Sequence, residues 1–92
     1  MRSLAHLVPA ALMELLRTAP LSNGKVGFAW RTVVGPGVGR ASEVRLEGGV
    51  LIVQTTSHQW TREIRRSSAM ILGRMQEYLG KDAVTSITVR EP

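Results

Sequence analysis

Residues 57–79 read SHQWTREIRRSSAMILGRMQEYL. No proline interrupts this stretch. At about 100° per residue, one side of it collects Trp60, Ile64, Ile71, Met75, Tyr78 and Leu79. The other side carries Arg62, Arg65 and Arg66, then Ala69, Gly73 and Gln76. The spacing predicts one long helix from Ser57 to Leu79 with a core stripe and an arginine-bearing outer face. Thr56 with Gln59 three residues on supplies a capping box, with Ser57 as the alternative cap, and Gly80 suits the position just past the C-terminus.

On the N-terminal side of this helix lies a hairpin. Glu43-Val44-Arg45-Leu46-Glu47 alternates, Gly48-Gly49 supplies a tight turn, and Val50 to Thr55 returns. A two-residue turn pairs Leu46 with Leu51 and Val44 with Val53, and these four face the helices. Glu43, Arg45, Ile52 and Gln54 lie on the other face. On the C-terminal side, Ala83 to Arg90 reads as a closing strand with Val84, Ile87 and Val89 as its apolar residues.

Two further helices precede the hairpin. The first covers about 10–19, with Ala11, Leu12, Leu15, Leu16 and Ala19 as its stripe and Pro20 as its stop. The second runs from about Lys25 to Val34 after a cap at Ser22 or Asn23. Gly35-Pro36-Gly37 breaks or kinks it, and Val38 and Ala41 continue its apolar face. The order helix, helix, strand, strand, helix, strand predicts an α+β layer, a three-stranded sheet with helices on one face. The expected core includes Trp30, Leu46, Leu51, Val53, Trp60, Ile64, Ile71 and Met75.

At 92 residues the chain fits one domain with a small core. There is no cysteine, which excludes disulfides and thiolate metal sites and fits a reducing, cytoplasmic setting. The apolar run Leu4 to Leu16 contains His6, Pro9 and Glu14, so it is too short to span a bilayer. Twelve Lys and Arg against seven Asp and Glu give a net charge of +5, which favours polyanionic partners, nucleic acid above all. His6 and His58 are the only histidines and the acids are scattered singly. No nucleophile, base and orienting group come together, so no catalytic residue, cofactor or metal site is expected.

Gly24-Lys25-Val26-Gly27 has the G-x-x-G form with which KH domains clamp a nucleic-acid backbone, but as a start to the second helix it has a simpler explanation. Gly35 to Gly39 lacks the preceding strand of a phosphate loop. Trp30 and Trp60 each fall on an apolar helical face, which favours core packing over base stacking. The binding candidates are therefore Arg62, Arg65 and Arg66, with Arg40, Arg45 and Arg90 as secondary ones. Only Glu63 is close enough in sequence to offset the first three. Ala69 and Gly73 leave the next two turns of the same face bare, open to a phosphate backbone or a partner helix.

An ordered set of marks resembles a bacterial family, DciA, the loaders of the replicative helicase. The marks are Trp30, Val33-Val34-Gly35, Ser42, Leu46, Gly48-Gly49-Val50-Leu51 and Val53, then Ser57, Trp60, Glu63-Ile64, Leu72, Leu79-Gly80 and Ile87. Ser57, Trp60 and Glu63-Ile64 follow the family's S-x-x-W-x-x-E-L pattern, with isoleucine in place of its leucine. The match covers about residues 25–90. The resemblance implies a KH-like fold, DNA binding and contact with the hexameric helicase DnaB in DNA replication. Many members carry a long basic extension. This sequence stops two residues after Arg90, so the globular part is expected to supply the binding. Two other readings stand beside this one. One is a protein-binding adaptor without nucleic-acid binding, self-associating through the outer sheet face around Ile52. The other is an RNA-binding KH-like module. None of the three calls for a membrane, and the strand preference for DNA, single or double, stays open.

Overall fold

The computed structural model describes residues 10–11, 14 and 18–92. Its elements are α1 (Asn23–Arg40), β1 (Ser42–Glu47), β2 (Val50–Thr55), α2 (His58–Arg66), α3 (Ser68–Leu79) and β3 (Ser86–Arg90). The expected α+β layer is present, with these three helices and a three-stranded mixed sheet among the described residues. Of the helix expected at about 10–19, Ala10, Ala11, Glu14 and Thr18 have helical backbone. Its stripe residues Leu12, Leu15 and Leu16, like His6, lie outside the described residues.

Helix α1 begins where the Ser22 hydroxyl accepts the Lys25 amide, 3.1 Å away. It is interrupted at Gly35, whose φ of 84° and ψ of 174° suit a residue without a Cβ. Pro36 follows at the first position of the second segment, where its fixed φ fits and its missing N–H costs nothing. The kink expected from Gly35-Pro36-Gly37 is thus real. The segment beyond it ends with the Ala41 amide on the Val38 carbonyl.

The hairpin has the expected register, Val44 opposite Val53 and Leu46 opposite Leu51. Gly48 and Gly49 have φ of 54° and 82°, the two positive values that a two-residue turn matched to strand twist requires. β2 is central, antiparallel to β1 and parallel to β3. A parallel return needs a crossover, and α2 and α3 provide it. The closing strand is shorter than expected. Val84 is buried ahead of it, with its carbonyl accepting from Gln76 Nε2 at 2.8 Å, and pairing starts at Ser86 opposite Val50.

The long helix expected from Ser57 to Leu79 is two helices. Ser67 has φ −101° and ψ 10°, and its N–H is shared between the carbonyls of Glu63 and Ile64. Serine is a weak helix former that favours helix ends, and the elbow here serves packing. α2 lies against β2 and β3, whereas α3 packs against α1. Ile71, Met75, Tyr78 and Leu79 of α3 join Val26, Ala29 and Trp30 of α1 and Leu51, Val53 and Val89 of the sheet in one core. Trp30 is 1% exposed, and its Nε1–H donates to Ser42 Oγ at 2.9 Å. The Ser42 hydroxyl donates in turn to the Val38 carbonyl at 2.6 Å, so the indole, the kinked helix end and the first strand are tied together.

Candidate nucleic-acid and partner interface

The local conformation of α2 decides where its arginines go. Ser57 is its N-cap, accepting the Trp60 amide at 3.2 Å. The residues of α2 that are buried are Thr61 and Ile64, not Trp60 and Ile64. Thr61 is polar, but its hydroxyl is satisfied by Thr55 Oγ1 and the Ser57 carbonyl, so burial costs it little. The helix is therefore rolled about its axis relative to the sequence expectation, and the expected core role of Trp60 is corrected. Trp60 is half-buried at the rim. The tip of its ring, Cη2, lies 4.0 Å from where a Cβ on Gly37 would stand, and it forms a wall shared by two surface hollows.

The same roll separates the three arginines. Arg65 turns toward the sheet: its Nη2 donates to the Val89 carbonyl at 3.0 Å and its Nη1 lies 3.7 Å from Glu91. With the Gln54 side chain on the Glu91 carbonyl at 2.9 Å and His58 3.5 Å from the Glu91 carboxylate, it pins the end of edge strand β3. Arg62 and Arg66 point to solvent. Arg66 lies 3.6 Å from Glu63, an exposed pair that holds little of its charge, and among the described residues Arg62 has no ion-pair partner.

The secondary arginines sit elsewhere. Arg45 is 2.7 Å from Glu47 on the outer sheet face. Arg90 is on the same face opposite Gln54, and Arg40 ends α1. Ile52, on that outer face, is only 8% exposed in a shallow hollow with Glu43, Arg45, Gln54 and Arg90. Ile52 itself therefore offers little apolar surface on that face. Lys25 of the G-x-x-G stretch is buried with its ammonium on the Ala19 carbonyl at 2.7 Å, so this stretch is a helix start and not a phosphate clamp.

Ala69 and Gly73 are exposed on α3, and a Cβ on Gly73 would meet nothing within 4 Å. Between them stands Met70, 57% exposed, a residue the periodicity did not single out. Met70 lines an apolar groove of about 200 Å³ with Val33, Val34, Val38, Trp60 and Ile71, which runs between the kinked end of α1 and the elbow. Among the described residues no cluster of three His, Asp or Glu could hold a metal ion, and no helix is long and apolar enough to cross a membrane.

The family model described as "Dna[CI] antecedent, DciA" matches residues 3–89. The chain belongs to the DciA family. DciA is known as a helicase-loader family. Two UPF0232 proteins of Mycobacterium leprae, from strains Br4923 and TN, are each 30% identical over 76 residues, 82% of this chain. The chain spans 40% of the length of these curated relatives. No solved structure matches it significantly. The marks by which DciA membership is legible in the sequence are largely structural: Trp30 and Ser42 bond to each other, Gly35 makes the kink, Gly48-Gly49 the turn, Ser57 the cap, and Gly80, at φ 102°, the end of α3.

Proposed function

We infer that the chain is a non-catalytic, KH-like binding domain that works in loading the replicative helicase in the bacterial cytoplasm, holding DNA on one surface and the helicase on another. The DNA surface is the outer ridge of α2, Arg62 and Arg66, with Arg65 at its margin. The observation that carries this is the orientation of the ridge. Two guanidinium groups one helical turn apart stand in solvent, on a chain of net charge +5. Such a ridge binds phosphates without reading sequence. The helicase surface is the strip Ala69, Met70 and Gly73 with the adjoining apolar groove. Exposed methionine beside bare backbone suits the apolar face of a partner helix.

A second reading, a protein-binding adaptor that holds no nucleic acid, is favoured by that groove alone. Size-exclusion chromatography of the chain with the purified replicative helicase, with and without a single-stranded oligonucleotide, separates the two. A ternary complex supports the loader. A helicase complex that excludes DNA supports the adaptor, and no complex at all contradicts both. Tighter binding to RNA than to DNA of the same sequence would move the domain to the RNA-binding class.

A further inference from the structure

A second hollow, of about 310 Å³, is lined by Gln59, Trp60 and Glu63, the last two of which also border the groove at Met70. Going round α2 from Trp60, the residues Glu63, Gln59, Arg66 and Arg62 follow at roughly 60°, 100°, 120° and 160° in one rotational sense. An aromatic wall, a carboxylate with an amide, and two guanidinium groups thus form one continuous strip. The indole is only partly covered: the backbone N–H of Trp60 donates to the Ser57 hydroxyl, and the ring tip lies near Gly37, just past the kink.

We propose that this hollow takes one unpaired nucleobase against Trp60, with the flanking phosphates on Arg62 and Arg66, so that the domain binds single strands in preference to duplex. The inference rests on the nucleic-acid reading of the ridge and adds the strand class. The chemistry sorts the two halves of a nucleotide. A base is planar and uncharged, so the Glu63 carboxylate does not repel it and can accept from an exocyclic amine, while the Gln59 amide can both donate and accept at a base edge. A phosphate is repelled by that carboxylate and kept to the arginine side. In a duplex the bases are stacked on one another and do not reach such a wall.

The test measures affinity for a fluorescent twelve-nucleotide oligo-dC and for a duplex of equal length, using the wild type, Trp60→Leu, Trp60→Phe and the pair Arg62→Ala/Arg66→Ala. Stacking on one base is worth about 1–3 kcal/mol, so Trp60→Leu should weaken single-strand binding about 5- to 150-fold and duplex binding less than about twofold. Trp60→Phe should keep most of the single-strand affinity, and the arginine pair should lose both. Intrinsic fluorescence of the unmutated chain gives a readout independent of folding defects. Trp30 is buried, so saturable quenching by oligo-dC reports on Trp60, and its absence overturns the proposal. So does a Trp60→Leu chain that binds both probes like wild type, or loses both equally, while the arginine pair weakens both. Those results leave the phosphate ridge standing. A wild type that binds neither probe removes the ridge and the hollow together. A Trp60→Leu chain impaired only toward the helicase gives the hollow to a protein side chain, against the proposal.

Discussion

Replacing Ser42 by alanine deletes one hydroxyl, and its consequence can be worked out from three bonds. Trp30 Nε1–H loses its partner at a site 1% exposed, where water cannot take over. The Val38 carbonyl loses the Ser42 hydroxyl but keeps the Ala41 amide at 3.1 Å, so it remains satisfied. The cost is therefore set by the stranded indole donor, about 1–3 kcal/mol. In a domain of this size each kcal/mol is worth about 4–8 °C, so the melting midpoint should fall by about 10 °C. The assay is thermal unfolding by circular dichroism, run as a cycle with Trp30→Phe, which removes the donor as well. If the bond is made, the double variant is less destabilised than the sum of the singles, by about 1–2 kcal/mol. A Ser42→Ala chain melting within a degree of the parent, or strictly additive effects, would refute this account of how α1 is fixed to the sheet.

The turn, the cap and the edge strand give three more predictions. A Cβ on Gly49 would stand 2.9 Å from Thr85 Oγ1, whereas one on Gly48 meets nothing within 4 Å. Gly49→Val should therefore lower the urea midpoint clearly more than Gly48→Ala, although both pay for positive φ, and equal effects would contradict the packing described at Thr85. Ser57→Ala should cost about 1 kcal/mol through loss of the α2 cap, read as a shift in urea midpoint at constant slope; an unshifted midpoint would show that Ser57 does not cap α2. Arg65→Ala should speed hydrogen exchange in β3 while DNA affinity falls less than in Arg62→Ala. The reverse ranking would show that Arg65 belongs to the ridge and not to the edge.

Most of the fold was legible because local chemistry and tertiary structure agree. The hairpin register followed from alternation and two adjacent glycines, the α1 kink from Gly35-Pro36, and the cap from Ser22 or Asn23, of which the structure uses Ser22. What the sequence concealed is the roll and the elbow of the crossover. Trp60 reads as a core residue, yet a Thr55–Thr61–Ser57 hydrogen-bond set lets Thr61 go in and leaves the tryptophan at the rim. Periodicity counts apolar residues and is blind to a buried hydroxyl with ready partners. The double serine at 67–68 was the signal for the elbow, but serine only permits a break. The need for α2 to meet the sheet and α3 to meet α1 makes it.

The site was half legible for the same reason. The arginine face was visible, but the roll that commits Arg65 to β3 and leaves Arg62 and Arg66 in solvent was not. Met70 was missed because a lone methionine between Ala69 and Gly73 breaks no pattern.

The central claim is that Arg62 and Arg66 hold phosphates, and the salt dependence of DNA binding tests it most directly. Affinity for one oligonucleotide is measured across a range of salt concentrations for the wild type and for Arg62→Ala/Arg66→Ala, with Arg65 left in place to keep β3 fixed. Two lost phosphate contacts should flatten the log–log slope by about 1.4 on single strands and about 1.8 on duplex, with the same loss on unrelated sequences. Parallel lines of unchanged slope and affinity would contradict the claim and leave the groove at Met70 as the surface on which the domain works.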